Sequence, residues 1–187
     1  MSLKIKNNLI AGAEVELSPN SSDRHDEIDL IVLHCISLPE GQYGNNYPKD
    51  LFLNKLDFKK HSSFESLRDL RVSSHLLINR DGSLVQFVPF NKCAWHAGQS
   101  SFEGRDDCNK FSIGIELEGT IKENFTDQQY AILNEIVSLL KREYPVKNIV
   151  GHSEIAPNRK KDPGPYFEWN RLNAVSYTHL TLPTKEG

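Results

Sequence analysis

The sequence predicts a mixed α/β fold, in which a central mixed β-sheet is flanked by α-helices. Three observations lead to this prediction. Short apolar runs typical of strands recur along the chain, a strong hairpin turn signal lies at Asp81-Gly82, and a long amphipathic segment spans residues 126–144. The 187 residues are enough for one domain with a real core, which we place at residues 1–174.

The first strong strand signal is the apolar run of residues 29–34, which ends in His34. Continuous apolar runs of this length are typical of strands that are buried on both faces of a sheet. Because side chains alternate along a strand, we expect Leu30, Val32 and His34 on one face and Cys35 on the other.

The remaining elements follow from turn, cap and periodicity signals. Ser62 with Glu65, and Thr126 with Gln129, have the spacing of capping boxes at helix starts. Pro145 ends the long helix. The predicted elements are short helices at residues 50–58 and 62–70, a hairpin of residues 75–78 and 84–88, an alternating strand at 111–118, a helix at 126–144 and a strand at 147–151.

Composition limits the function classes. The net charge of −3 and the pI near 6.2 give no electrostatic case for binding nucleic acid or an anionic membrane. The three cysteines are an odd number without a CxxC pair, which favours a reducing compartment. The sequence shows no signal peptide and no transmembrane span, so we expect a cytoplasmic protein. No obligate protein partner is evident.

The last residues differ from the rest of the chain. Residues 175–187 have no helix period, and they resemble a translated sequencing adapter more than a native segment. We therefore exclude them from the fold prediction and discount His179 as a metal ligand.

Three side chains are candidates for a metal site. His152 follows a short β-branched run, and a loop stiffened by Pro and Gly leads from it to Asp162. His34 ends another buried strand, and open sheets gather their sites beyond strand ends. Two His, one Asp and an open fourth position describe a hydrolytic zinc site. The alternative is that His34 is a hydrogen-bonded core histidine, and the spacing alone does not decide between the two.

Two further residues are candidates for the chemistry. Glu116 shares its strand face with Gly114, where another group can approach the backbone closely, and it could hold or deprotonate a metal-activated water. Lys160 could place a cation beside a developing oxyanion. The alternatives are a solvated strand face for Glu116, as we expect for Glu118, and plain surface charge for Lys160.

The other His, Cys and basic residues of these segments are expected outside the metal-ligand set. We expect His75 and His96 to be pocket or core residues rather than metal ligands. Cys35 and Cys108 are expected to be small buried hydrophobes. The neighbours of Lys160, which are Arg159 and Lys161, are expected to be surface charges.

These motifs together resemble the AmpD-type N-acetylmuramoyl-L-alanine amidases, the cytoplasmic 1,6-anhydro-muropeptide amidases of cell-wall recycling. The similarity runs from about residue 28 to 169. It rests on ordered blocks at residues 31–34 and 36–39 with Gly41, and at 70–73, 85–90, 94–98, 111–119 and 151–165.

The resemblance implies the fold shared by bacteriophage T7 lysozyme and the peptidoglycan-recognition proteins. It implies Zn²⁺ on His34, His152 and Asp162, with Glu116 and Lys160 as catalytic partners. It also implies that Arg71, Trp95 and Arg105 lie near the muropeptide, whose peptide carboxylates suit an arginine fork and whose sugar face suits an indole. Cys35 stands where many members have asparagine, and a thiol is a poorer hydrogen-bond partner than an amide.

Two other functions remain open at this point. A peptidoglycan-fragment binder of the same fold would bind without cleaving, although such proteins typically lack a complete ligand set. A non-haem iron oxygenase also uses two histidines and a carboxylate, but those sites usually lie in all-β jelly rolls, which the helix at residues 126–144 disfavours.

Overall fold

The computed structural model describes residues 2–172, and these build a mixed sheet with helices packed against it. The predicted fold class is therefore confirmed, whereas the predicted adapter-like tail at residues 175–187 lies outside the described residues. The strands are β1 (Ile5–Lys6), β2 (Leu9–Ile10), β3 (Glu14–Val15), β4 (Ser21–Asp23), β5 (Leu30–Ile36), β6 (Leu76–Ile78), β7 (Leu84–Gln86), β8 (Lys92–Ala94), β9 (Ser101–Phe102), β10 (Arg105–Asp106), β11 (Ser112–Glu118) and β12 (Asn148–Gly151).

The helices are fewer than the strands. They are α1 (Tyr47–Phe52), α2 (Asp127–Glu143) and α3 (His152–Ile155), and short 3-10 turns span Ser62–Leu67, Cys108–Lys110 and Trp169–Arg171. None of the helices in residues 2–172 has the length and apolar character needed to cross a bilayer.

The main sheet has the strand order β12-β5-β11-β6-β7-β3. The strands β12, β5, β11 and β6 run parallel to one another, and β7 pairs antiparallel with β6 as the predicted hairpin. Because four neighbouring strands are parallel, their carboxyl ends meet at one edge of the sheet, which is where sites form in open α/β sheets.

The two faces of β5 pack as the period of two predicts. Leu30 and Val32 lie in one buried cluster with Val150 and Ile155, whereas Ile31 and Leu33 lie in the opposite cluster beneath α2. His34 therefore points away from α2, to the face that carries the cavity described below.

The helix α2 closes the other face of the sheet. Thr126 caps it as predicted. The Thr126 hydroxyl oxygen accepts from the Gln129 backbone N–H at 3.1 Å, and Gln129 Oε1 accepts from the Thr126 backbone N–H at 3.0 Å. The apolar stripe of this helix is fully buried, with Leu133, Ile136 and Val137 at 0% exposure.

Some predicted bounds were wrong. The first short helix spans Tyr47–Phe52, not residues 50–58, because Pro48 starts a helix well at its first turn. The segment predicted at residues 62–70 is a 3-10 helix that ends at Leu67, and its cap is His61, whose ring nitrogen accepts from the Ser63 N–H at 3.1 Å. The N-terminal strands β1 to β4 were not predicted, because runs of two or three residues are too short to show a period of two.

Candidate active site

The strand register brings three functional side chains to one place. His34 on β5 pairs directly with Glu116 on β11, and Leu33 pairs with Gly151 at the end of β12. His152 follows Gly151 and begins α3. In parallel strands, residues in register point to the same face, so the two imidazoles and the Glu116 carboxylate project into the same space.

Asp162 reaches the same place through a tight loop. The Ser153 N–H donates to the Asp162 carbonyl oxygen at 3.1 Å, which brings the loop back onto the start of α3. A Cβ at Gly151 would lie 2.8 Å from Pro163 Cδ, so glycine is needed for this close approach.

His34, His152 and Asp162 form a group that could hold a metal ion, with their ligand atoms within 4.8 Å of one another. His34 Nδ1 lies 3.0 Å from His152 Nδ1 and 3.0 Å from Asp162 Oδ2. His152 Nδ1 lies 3.3 Å from the same carboxylate oxygen. The spatial convergence that the sequence prediction required is therefore present.

The donor set fits a zinc ion. Two imidazole nitrogens and one carboxylate are the ligands of an open catalytic zinc site. His152 Nε2 donates to the Ala97 carbonyl oxygen at 2.9 Å, which leaves Nδ1 as the free lone pair facing the group. Burial lowers the pKa of His34, which favours the neutral imidazole that binds a metal.

Asp162 is the anionic member of this group. Burial alone would raise the pKa of its carboxyl, but the adjacent imidazoles of His152 and His34 outweigh burial and lower that pKa below its usual range. Asp162 is therefore ionised at neutral pH, as a ligand carboxylate must be.

Glu116 is buried beside this group and incompletely paired. Its Oε1 lies 4.0 Å from His34 Nδ1, and within residues 2–172 its Oε2 has no hydrogen-bond partner. Burial raises the pKa of the Glu116 carboxyl well above its usual range, the Asp162 charge raises it further, and Lys160 lowers it. A buried carboxylate oxygen that lacks a partner is available to a water or a substrate.

These groups share one cavity of about 580 Å³, which also exposes Lys160, Arg71 and Trp95. Lys160 is half-buried. The apolar part of the cavity lining includes Ile36, Leu51, Phe52, Leu67, Leu70 and Val72. A cavity of this size and mixed lining is typical of a small-ligand site.

Arg105 is not brought to this cavity. Its guanidinium donates to both oxygens of Asp29 at 2.8 and 2.9 Å and lies 3.8 Å from the centre of the Phe111 ring. Its contact with substrate stays a prediction.

Two neighbouring residues differ from the sequence predictions. Glu118 was expected to face solvent, but it is 3% exposed and accepts the backbone N–H groups of Gly44 and Arg80, each at 3.0 Å. Arg159 is not a plain surface charge, because it donates to the carbonyl oxygens of Ala97 and Gln99 at 2.7 and 2.8 Å. Neither residue has a local sequence signal, since its partners are remote along the chain.

The group that lies close to the backbone at Gly114, as the sequence predicted some group would, is the His96 ring. A Cβ at Gly114 would overlap the His96 ring, so the absence of a side chain there makes room for an imidazole. His96 and His75 are buried, and neither belongs to the group that could hold a metal ion in the described part of the chain.

The fold and the site together define a class of proteins, the amide hydrolases that act on peptidoglycan fragments. Residues 24–165 match the N-acetylmuramoyl-L-alanine amidase family, so the chain belongs to that family. The non-haem iron oxygenase alternative is therefore wrong, and the mixed sheet with α2 is not the all-β jelly roll that it requires.

Named relatives agree with this assignment. The chain is 49% identical over 156 residues to the 1,6-anhydro-N-acetylmuramyl-L-alanine amidase AmpD of Haemophilus influenzae, covering 82% of this chain and 83% of that protein. It superposes on a crystal structure of a selenomethionine AmpD derivative with a TM-score of 0.90 and 46% identity, covering 92% of this chain and 99% of the other.

A solved complex shows what a more distant relative binds. Escherichia coli AmiD, in complex with its substrate anhydro-N-acetylmuramic acid-L-Ala-D-gamma-Glu-L-Lys, is 30% identical with a TM-score of 0.56. The match covers 91% of this chain and 64% of AmiD.

Proposed function

We propose that this protein is a zinc-dependent amidase of cell-wall recycling. It hydrolyses the amide bond between the lactyl group of 1,6-anhydro-N-acetylmuramic acid and L-alanine, and it acts in the cytoplasm. Its relationship to the AmpD amidase supports the substrate, and the three free cysteines support a reducing compartment.

A single observation carries the proposal. His34, His152 and Asp162 place their ligand atoms within 4.8 Å of one another. They do so in a cavity that also holds a buried carboxylate, Glu116, and a cation, Lys160. When bound there, Zn²⁺ makes water a stronger acid and a carbonyl carbon more electrophilic.

Glu116 is assigned as the general base and proton carrier. Burial raises its pKa above the usual range of a carboxyl, which brings it closer to the value that serves best near neutral pH. Its Oε2 lacks a protein partner among the described residues and is free to accept a proton from the attacking water. The same carboxyl then donates a proton to the amine of L-alanine as the C–N bond breaks.

Lys160 is assigned to charge stabilisation. It lines the cavity with Glu116, and its positive charge acts on both Glu116 and His34. A fixed cation beside the scissile carbonyl stabilises the negative charge that develops on the oxygen as water adds.

Arg71 and Trp95 are assigned to substrate binding. Both line the cavity. The Arg71 guanidinium donates to the exposed carbonyl oxygens of Arg68 and Leu70. These are weak local contacts that a peptide carboxylate can replace with a stronger, charge-assisted pair. The Trp95 indole offers a flat surface to a sugar ring.

Mass spectrometry of an anhydro-muropeptide incubated with the zinc-loaded protein tests this proposal. We expect the intact substrate to be replaced by free peptide and anhydro-N-acetylmuramic acid, and a chelator to stop the reaction. Binding of the muropeptide without cleavage by the zinc-loaded protein would contradict the proposal and favour the non-catalytic binder.

A further inference from the structure

A chain of hydrogen bonds runs from the Cys108 carbonyl through Ser112 and His96 to His34. The bond from Ser112 to Cys108 determines which atom donates in each of the others. Ser112 Oγ lies 2.6 Å from the Cys108 carbonyl oxygen and 3.0 Å from His96 Nε2. A carbonyl oxygen only accepts, so the single hydroxyl hydrogen of Ser112 points at Cys108. The hydroxyl oxygen can then only accept from His96, which places a hydrogen on His96 Nε2.

The position of the hydrogen on His96 then determines which nitrogen of His34 donates. A neutral imidazole with a hydrogen on Nε2 has an acceptor lone pair on Nδ1. His96 Nδ1 lies 2.9 Å from His34 Nε2, so His34 donates from Nε2 and keeps its own lone pair on Nδ1. That nitrogen faces Asp162 and His152, 3.0 Å from each.

The opposite direction is disfavoured by the same contacts. A neutral His34 with its hydrogen on Nδ1 would accept at Nε2, so it would require a hydrogen on His96 Nδ1 and would turn the Ser112 hydroxyl towards His96. The Ser112 oxygen and the Cys108 carbonyl oxygen would then face each other at 2.6 Å with no hydrogen between them. Two buried acceptors in this arrangement repel and lose a hydrogen bond.

The His96 ring has little freedom to turn away. It packs against the backbone of β11 at Gly114, where a Cβ would overlap it. The backbone N–H groups of His96 and Ala97 both donate to Asn109 Oδ1, at 3.1 and 2.8 Å. The next carbonyl in this segment, that of Ala97, accepts from His152 Nε2 at 2.9 Å.

We propose that His96 and Ser112 are positioning residues for the metal ligand His34, and that residues 96–97 set the tautomer of both histidine ligands. The His96 side chain orients His34 while the Ala97 carbonyl orients His152. Partners of this kind, which hold the second nitrogen of a metal-binding imidazole, affect metal affinity strongly. The inference rests on the proposed zinc site.

The tautomers can be measured without metal. Long-range ¹H–¹⁵N correlation spectra of the metal-free, ¹⁵N-labelled protein at neutral pH report which imidazole nitrogen carries hydrogen. We expect the hydrogen on Nε2 of His34, His96 and His152. A hydrogen on His96 Nδ1, or a His34 that carries hydrogen on Nδ1 and none on Nε2, would overturn the inference.

Zinc affinity, measured by competition with a chromophoric chelator, supplies the second test. Ser112→Ala should weaken zinc binding by about 10–100-fold, and Ser112→Thr, which keeps a hydroxyl, should restore much of it. Ser74→Ala is the matched control, because Ser74 is also 0% exposed and donates to a backbone carbonyl, that of Leu76 at 2.8 Å. We expect wild-type zinc affinity in that control.

The outcomes separate the two proposals. Absence of zinc binding in the wild type would contradict the proposed function, while the spectra of the metal-free protein would still decide the direction of the chain. Tight zinc binding in both wild type and Ser112→Ala would overturn the positioning role and leave the proposed function intact.

Discussion

Glu116 and Glu118 lie two residues apart on the same face of β11, and both are buried, at 9% and 3% exposure. Their surroundings differ. Both carboxylate oxygens of Glu118 accept backbone N–H groups at 3.0 Å, which ties the loop at Gly44 and the hairpin at Arg80 to the sheet. Glu116 has an oxygen without a partner in the described part of the chain, and it faces the cavity with the two histidines and Asp162.

The difference shows that burial alone does not identify a functional carboxylate. A buried carboxylate whose lone pairs are filled by backbone donors serves the fold, because those donors need an acceptor. A buried carboxylate with an unfilled lone pair costs stability, and that cost is retained where the lone pair takes part in chemistry. We therefore assign Glu118 to stability and Glu116 to catalysis.

The largest expected effect is on turnover in Glu116→Gln. Removing the general base should lower kcat by about 10²–10⁴-fold, with zinc still bound. In the matched variant Glu118→Gln, turnover per folded molecule should stay close to the wild type. Steady-state hydrolysis of an anhydro-muropeptide, with zinc content measured on the same samples, checks both, and equal losses in the two variants would remove the distinction.

A smaller loss is expected when the cavity cation is removed. Lys160→Met should lower kcat by about 10²–10³-fold, because the charge that develops on the carbonyl oxygen loses its stabilising partner. Lys122→Met is a suitable control, since Lys122 is exposed and pairs with Glu40 at 3.4 Å. If Lys160→Met raised KM and left kcat unchanged, Lys160 would belong to substrate binding instead.

Stability should respond at Glu118 more than at Glu116. Glu118→Ala removes the acceptor of two backbone N–H groups, so the free energy of unfolding should fall by about 1–3 kcal/mol. That corresponds to roughly 2–4 °C in Tm for each kcal/mol in a domain of this size. Thermal unfolding followed by circular dichroism measures the change, and an unchanged Tm would show that Glu118 does not support the fold.

The smallest effect concerns pH and the metal-free protein. The raised pKa of Glu116 means that the folded state binds more protons than the unfolded state above about pH 4.5, so this residue lowers stability as pH rises through that range. Metal-free Glu116→Gln should therefore unfold at a higher temperature than metal-free wild type at pH 7, and the difference should disappear below pH 4.5. A difference that grew on acidification would contradict the assigned environment.

The sequence predicted the elements that carry a long period or a strong turn signal. The runs that became β5, β11 and β12, the hairpin, and the capped helix α2 all have regular apolar spacing, which reflects the burial that forms them. The position of His152 directly after β12 followed from the same patterns, whereas His34 lies two residues before the end of β5 and not at the strand end that the sequence predicted. The mixed sheet with four parallel strands then placed those ends together.

Hydrogen bonds between residues far apart in the sequence could not be predicted from local patterns. Nothing near Glu118 in the sequence indicates the two N–H groups that donate to it. They belong to Gly44 and Arg80, which precede Glu118 by 74 and 38 positions. The chain from Ser112 through His96 to His34 likewise depends on the packing of a loop over Gly114. Such arrangements depend on tertiary packing, which a periodicity argument does not contain.

The zinc content of the purified protein tests the central claim most directly. Inductively coupled plasma mass spectrometry after dialysis against metal-free buffer should find one zinc ion per wild-type chain and far less in Asp162→Asn, which keeps the shape of the side chain and loses its charge. A wild-type protein that binds no zinc, or an Asp162→Asn variant that retains a full equivalent, would contradict the assignment of His34, His152 and Asp162 as the metal ligands.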